Sequence, residues 1–271
     1  MPNGFRLENY LARIGYHGPT EVNYKTLAAL QALHLDAIPF EALDPFLRRP
    51  VNLDLASVVA KLVDGERGGY CFEQNLLFKA ALERIGFDVT PLAGRVRWMS
   101  PPDSPLGPKT HMLLKVDLAD GPYLADVGFG ACLLDAPLQL KTDVEQTTAM
   151  GTYRLTQSDG LFSLSAKRGG GWRTLYVFDL HPQIQADYDL GNWFTSTNPS
   201  IPLTSRLIME RLADGRRYRL IDRLLSAEAR DGEVITERTL ASAGEFSEVL
   251  RDTFKVTPPV PAEEIFNKTG G

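Results

Sequence analysis

The hydrophobic pattern changes period near residue 88. That switch limits the chain to folds that join a helical block to a block of short strands. Before it, "FRLENYLARIG" sets Phe5, Leu7, Tyr10, Leu11 and Ile14 at three-to-four spacing and stops at Gly15. "TEVNYKTLAALQALHLDAI" repeats that spacing from a capping Thr20 up to Pro39. "LDLASVVAKLVDG" reads as a short helix ended by Gly65. "FEQNLLFKAALERIGF" reads as a longer one with Phe72, Leu76, Leu77, Ala80, Leu82 and Ile85 along its stripe and Gly86 as its stop. After residue 88, "DVTPLAGRVRWM", "HMLLKVDLA", "PYLADVGFG" and "YRLTQSDGLFSLSAKRGGGWRTLYVFDL" read as strands separated by turns such as "SDG" and "RGGG". That is the pattern of an antiparallel sheet or small barrel. Beyond residue 185 the text changes again, and "AGEFSEVLRDTF" closes it as a short helix. The fold class is α+β, and 271 residues suit two domains or one with an appended lobe.

Charge and cysteine usage narrow the function. The chain carries 29 Lys+Arg against 34 Asp+Glu, a net charge of −5 with no basic run, so nucleic acid and anionic membrane are poor partners. No segment approaches the roughly 18 apolar residues of a membrane span. The opening "MPNGFRLENYLARIGY" breaks any apolar run with acid and polar groups, unlike a signal peptide. Two widely separated cysteines make no disulfide framework, so a cytoplasmic protein with reduced thiols is expected. Four histidines and two cysteines show no metal-ligand spacing, and no metal is expected.

The chemistry centres on "RGGYCFEQN", residues 67–75. A free thiol has a pKa of about 8.5 and is a weak nucleophile at neutral pH until something favours the thiolate. The Gly-Gly-Tyr turn delivers Cys71 to a helix start, where unpaired N–H groups favour an anion. A second aid is a neighbouring imidazolium. His17, His34 and His181 lie in ordinary loop, helix and post-strand settings, whereas His111 opens the strand "HMLLKVDL". Asp126, between Ala125 and Val127 in "YLADVGFG", is a carboxylate too costly to bury without a partner. It suits the task of orienting the imidazole. Cys71, His111 and Asp126 therefore form a candidate triad. His111 follows Cys71 by only forty positions, unlike the roughly 130–150 of the papain type. Cys132, in "ACLLDAPL", reads as a small buried residue. Arg67 and Glu41, charged groups in well-packed text, are expected to pair.

Six ordered blocks carry a wider likeness: "HLDAIPFEALD" (34–44), "RGGYCFEQNLLF" (67–78), "GRVRWM" (94–99), "THMLLKV" (110–116), "YLADVGFG" (123–130) and "ADYDLGNWFTSTNPS" (186–200). Through them the chain resembles the arylamine N-acetyltransferases of bacterial type over nearly its whole length. The resemblance implies a helical domain (1–87), a central antiparallel β-barrel (88–185), an interdomain segment (186–204) and a C-terminal α/β domain (205–271). It implies a transferase fold related to cysteine proteases and transglutaminases, with the Cys-His-Asp triad on Cys71, His111 and Asp126. Its oxyanion donors would be the backbone N–H groups of Cys71 and Thr110. Phe40, Val96, Phe129 and Leu203 would line the acceptor side. Trp98, Thr110, Gly128, Phe129 and Gly130 would lie towards the CoA, with "SPPDSPLGPK" bordering its entrance.

The implied reaction moves acetyl from acetyl-CoA, the co-substrate, to the nitrogen of an arylamine, hydrazine or N-hydroxyarylamine. It runs through an acetyl-Cys71 thioester with ping-pong kinetics. The partners are small molecules, and a homodimer is left open. Two departures from the family pattern stand out: Ala42 replaces the usual Asn of "PFENL", and Ile201 and Leu203 replace a Ser and a pocket Phe. A transglutaminase-like or cysteine-protease-like hydrolase would use the same three side chains.

Overall fold

In the computed structural model, which describes residues 5–101 and 103–270, the helical block runs from α1 (Leu7–Arg13) to α5 (Cys71–Ile85). Between them lie α2 (Tyr24–Ala37), the two-residue strand β1 (Phe40–Glu41), α3 (Leu43–Phe46), α4 (Leu55–Val59) and a wide helical turn over Ala60–Asp64. Helix α2 starts later than its sequence suggests. Its cap is Asn23, whose side chain accepts from Thr26 N–H at 2.9 Å, while Thr20 is exposed before it. Helix α5 stops at Gly86, held at φ +113°. Its buried face is wider than the expected stripe: Cys71 through Asn75 are all buried, Phe78 and Ala81 lie inside, and Ala80 is only half-buried.

The strands follow as β2 (Asp88–Val96), β3 (His111–Leu118), β4 (Gly121–Ala125), β5 (Leu138–Gln139), β6 (Glu145–Thr147), β7 (Thr152–Ser158), β8 (Leu161–Arg168) and β9 (Gly171–Phe178). They form one antiparallel sheet in the order β5-β4-β3-β2-β9-β8-β7-β6. Its two edges meet through side chains: Gln139 N–H donates to Gln146 Oε1 at 2.8 Å, and Gln146 Nε2 donates to Gln139 O at 2.9 Å. The sheet is thus a nearly closed barrel, with its exposed edges joined to each other. Asp126 lies just past the end of β4 instead of within a strand.

Helix α6 (Gln185–Thr197) leads to β10 (Ile208–Ala213), β11 (Arg216–Ile221), β12 (Leu224–Glu228) and β13 (Val234–Thr239), then to α7 (Ala243–Glu248) and α8 (Ala262–Lys268). The second sheet has the order β1-β10-β11-β12-β13 and is antiparallel throughout. Its first strand comes from residues 40–41, so the C-terminal sheet is stitched to the helical block.

Strand β3 shows how the cores are divided. Successive side chains of a strand point to opposite faces. Met112, Leu114 and Val116 join the core under the helices, while Leu113 joins Leu92, Leu124, Leu155 and Leu164 inside the barrel. A fully buried leucine of this kind stabilises the fold by about 1.5–3 kcal/mol. His111 shares the parity of Leu113, so the period that builds the core also turns the imidazole inward. A third core of Leu43, Phe46, Met209, Leu220, Phe246, Phe254 and Ile265 joins α3 to the C-terminal sheet and helices.

Candidate active site

The lead-in to Cys71 is as tight as its glycines suggest. A Cβ at Gly68 would sit 2.1 Å from Pro39 O, and one at Gly69 would sit 2.8 Å from Glu73 Oε2. Glu73 accepts the Tyr70 N–H at 3.1 Å, which closes the helix start. Beneath it, Arg67 does pair with Glu41 at 2.6 Å, within a larger buried network. Lys61 Nζ lies 2.7 Å from both Asp44 and Glu73, and Arg67 lies 3.1 Å from Asp44. Burial works against the charge of Lys61, but Glu73, Glu41 and Asp44 outweigh it and hold the ammonium protonated.

Cys71 opens α5 with 6% of its surface exposed, its Sγ 3.6 Å from the Thr110 carbonyl oxygen. Gly128 is pressed against it: a Cβ there would lie 2.6 Å from Cys71 Cα. Only glycine lets the loop after β4 approach this closely. His111, the first residue of β3, places Nε2 at 2.7 Å from Asp126 Oδ2. With that nitrogen committed, Nδ1 is the ring atom left for Cys71, and a hydrogen bond with Cys71 is among the interactions that favour the imidazolium. The imidazole sits between Tyr176 and Phe129, with ring centroids 4.7 and 5.0 Å away.

Asp126 is fully buried and accepts from four groups. Oδ2 takes His111 and the Tyr176 hydroxyl, the latter at 2.9 Å. Oδ1 takes Asn75 Nδ2 at 3.0 Å and the Gly128 N–H at 2.9 Å. A carboxylate with this many donors is stable where a bare one would not be. Burial raises the Asp126 pKa, but the His111 charge and the hydrogen bonds prevail and hold it below its ordinary value. Burial lowers His111, yet Asp126 first and then Cys71 outweigh it, and the imidazole is pushed up to about 10. Burial and Asp126 together keep the Tyr176 phenol protonated as a donor.

Two of these partners were not among the site residues singled out from the sequence. Asn75 sits one turn after Cys71 on the same face of α5, bridging Met112 O at 2.7 Å, Asp126, and the Val127 N–H at 3.1 Å. That i,i+4 relation to Cys71 was a usable signal. Tyr176 offered none, since only the pairing of β2 with β9 brings it in, through the Val96–Tyr176 register.

A cavity of about 240 Å³ opens onto Cys71 and His111. All the expected wall residues line it: Phe40, Val96, Trp98, Thr110, Gly128, Phe129, Gly130 and Leu203, together with Ile201. Val96 is 37% exposed and forms the rim. Ala131, Thr195, Pro202 and Ile208 line it as well. The Thr110 N–H donates to Gly94 O at 3.1 Å, and its carbonyl oxygen lies 3.6 Å from Cys71 Sγ. Of the loop expected at the CoA entrance, residue 102 lies outside the described residues, and Arg97 donates to Ser104 O at 2.9 Å and Pro101 O at 2.8 Å. The other histidines lie elsewhere: His34 is buried between Tyr10 and Gln74, and His181 is 87% exposed. Cys132 is buried. Among the described residues, no group of three or more His, Cys, Asp or Glu is placed to hold a metal, and no helix is long and apolar enough to cross a membrane.

Cys71, the His111–Asp126 pair and this cavity thus meet at the junction of the helical block and the nearly closed barrel. An N-acetyltransferase family model matches residues 23–260. An arylamine N-acetyltransferase of Mycolicibacterium smegmatis is 42% identical over 223 residues, 81% of this chain and 81% of that protein. One of Escherichia coli K12 is 40% identical over 249 residues, 92% of this chain and 88% of that protein. The solved structure of the Mycobacterium marinum arylamine N-acetyltransferase in complex with CoA superposes with a TM-score of 0.91 at 37% identity, covering 97% of this chain and 99% of that one. The chain belongs to the arylamine N-acetyltransferase family and is an acetyltransferase enzyme.

Proposed function

We propose that the enzyme transfers an acetyl group from acetyl-CoA to the nitrogen of arylamines, arylhydrazines or N-hydroxyarylamines in two steps through Cys71. Cys71 passes its proton to Nδ1 of His111, and the thiolate attacks the thioester carbonyl. The carbon–sulfur bond to CoA breaks, and His111 returns the proton to the leaving CoA sulfur. Acetyl-Cys71 remains, a thioester about as reactive as the one consumed. An amine then enters, its nitrogen attacks the same carbonyl, and His111 takes the nitrogen's proton as the Cys71 thiolate leaves. Asp126 holds the ring orientation and supports the imidazolium without taking the proton. The Cys71 N–H, at the start of α5 and lacking an intrahelical acceptor, is the donor for the developing oxyanion. Because one cavity receives both substrates in turn, the kinetics are ping-pong.

The observation that carries this reading is the His111 Nε2–Asp126 Oδ2 contact of 2.7 Å beside Cys71 at the foot of the cavity. Phe40, Val96, Phe129 and Leu203 would give an aryl acceptor, uncharged at neutral pH, apolar contact, and all four line the cavity. Trp98, Gly128 and Gly130 line the cavity as well, and the two glycines would let a pantetheine arm approach the backbone closely. We also take residues 1–87, 88–185 and 205–271 as three units joined by 186–204, a division favoured by the separate barrel and C-terminal cores. Two free cysteines suit the cytoplasm.

The test is intact-mass spectrometry after mixing with acetyl-CoA. One acetyl group should appear on Cys71, disappear when an arylamine is added, and be absent from Cys71→Ala. A wild type that gains no acetyl group sinks the mechanism.

A further inference from the structure

One buried ion pair of the C-terminal sheet grips Leu133 by both of its backbone groups. The Leu133 N–H donates to Glu210 Oε1 at 3.0 Å, and its carbonyl accepts from Arg217 Nη2 at 3.1 Å. Arg217 Nε lies 3.1 Å from that same Oε1, and both residues are fully buried. Buried ion pairs are seldom a net gain in stability over well-packed apolar residues, so this one calls for a role other than stability. Leu133 lies within the loop between β4 and β5, the loop that carries Gly128, Phe129 and Gly130 along the cavity. The Cys132 N–H bonds back to Phe129 O at 3.0 Å, so the position of Leu133 is passed to Phe129 through one tight turn.

Glu210 also neighbours Phe40, another residue that lines the cavity. On β10 it pairs with Phe40 of β1, and Ile208, two residues earlier, lines the same cavity. The Phe40 ring lies so close to the loop that a Cβ at Gly130 would come 2.3 Å from it. The backbone of Glu210 therefore holds Phe40 while its side chain holds the loop of Phe129. Further charges stop the anchor from swinging: Arg219 Nε lies 3.4 Å from Glu210 Oε2, and its Nη1 lies 2.9 Å from Glu228.

We propose that Glu210 and Arg217 are positioning residues that set the spacing between the Phe40 and Phe129 walls, and thereby the size of aromatic acceptor the cavity takes. Neither lines the cavity, so neither touches the reacting atoms. The proposal rests on the acetyl-transfer reading of the site. It predicts that loosening the grip alters the second half-reaction, in which the amine must fit, far more than the first.

The experiment measures acetylation of Cys71 by acetyl-CoA, and separately the KM and kcat for aniline and 2-naphthylamine. Glu210→Gln keeps an oxygen for the Leu133 N–H, Glu210→Ala removes it, and Glu210→Leu combined with Arg217→Met replaces the pair by apolar groups of similar volume. In Glu210→Ala and the double variant, Cys71 should be acetylated within about twofold of the wild-type rate, while the aniline KM rises about tenfold and the preference between the two amines shifts about fivefold. Glu210→Gln should stay near the wild type on all three. If Glu210→Ala fails to fold, the double variant decides. A folded double variant with unchanged amine KM and preference, or with both half-reactions reduced in parallel, overturns the proposal. A wild type that acetyl-CoA leaves unmodified overturns the transfer reading and the proposal with it, and that result is seen before any variant is made.

Discussion

Two fully buried carboxylates, Asp126 and Glu210, sit about the same cavity in opposite ways. Asp126 is met by four donors, one of which, His111, can lose its proton. Glu210 is met by Arg217 and Arg219, whose guanidinium groups stay charged at any working pH, and by a backbone N–H. The wider cluster adds Glu228 and Arg168, paired at 2.5 Å. The first arrangement lets a proton move without leaving a bare charge behind. The second sets its carboxylate against fixed guanidinium charges and a backbone N–H, and holds a shape. Burial is the same in both, so the partners decide whether a buried acid serves chemistry or geometry.

The largest effect should come from breaking the titrating arrangement. Asp126→Asn should lower kcat/KM by about 10³–10⁴-fold, since an amide favours the wrong His111 tautomer. Steady-state rates would show this, and activity within tenfold of the wild type would remove Asp126 from the mechanism. Next comes the fixed arrangement. Glu228→Ala leaves Arg168, Arg217 and Arg219 short of a counter-charge and should cost about 3–5 kcal/mol in urea unfolding. In molecules that remain folded, acetylation of Cys71 by acetyl-CoA should change little, and a specific loss of that step would erase the distinction between the two clusters.

A smaller effect separates them by pH. His111 is raised to about 10 in the folded chain, so its contribution to stability is full below its ordinary pKa near 6.5 and is lost as pH climbs towards 10. Asp126 is depressed, so its contribution is present above its ordinary value of 3.8 and is lost as pH falls below it. Between pH 7 and 10 the wild type should therefore lose stability, on the order of 1 kcal/mol or more, that His111→Gln does not lose. Parallel denaturation curves at the two pH values would contradict this assignment. The smallest change is Tyr176→Phe, which removes one of four donors to Asp126. It should cost about 0.5–1.5 kcal/mol of stability and a modest fraction of the rate, with the pH profile displaced. An unchanged profile would leave Tyr176 a packing residue.

Much of the site was legible because its signals are local. A Gly-Gly-Tyr turn before a helix, a histidine opening a strand and an acid in an apolar run each have a physical meaning within a few residues. The same locality explains the misses. Asn23 displaced Thr20 as the cap of α2 because the side-chain oxygen that reaches an orphan N–H depends on where the turn closes. Asp126 was read as part of a strand, but the pairing of β4 with β3 ends at Ala125.

The sequence by itself determined the change of period at residue 88, the helix start under Cys71, and the need of Asp126 for partners. Helix and strand periodicity and the cost of a bare buried charge act at short range. Only the tertiary structure decided who those partners are. Tyr176 arrives through the register of β9 on β2, and Leu133 is held by residues 77 and 84 positions further along the chain. Register and sheet order emerge from packing summed over the whole fold, which no short stretch of text records.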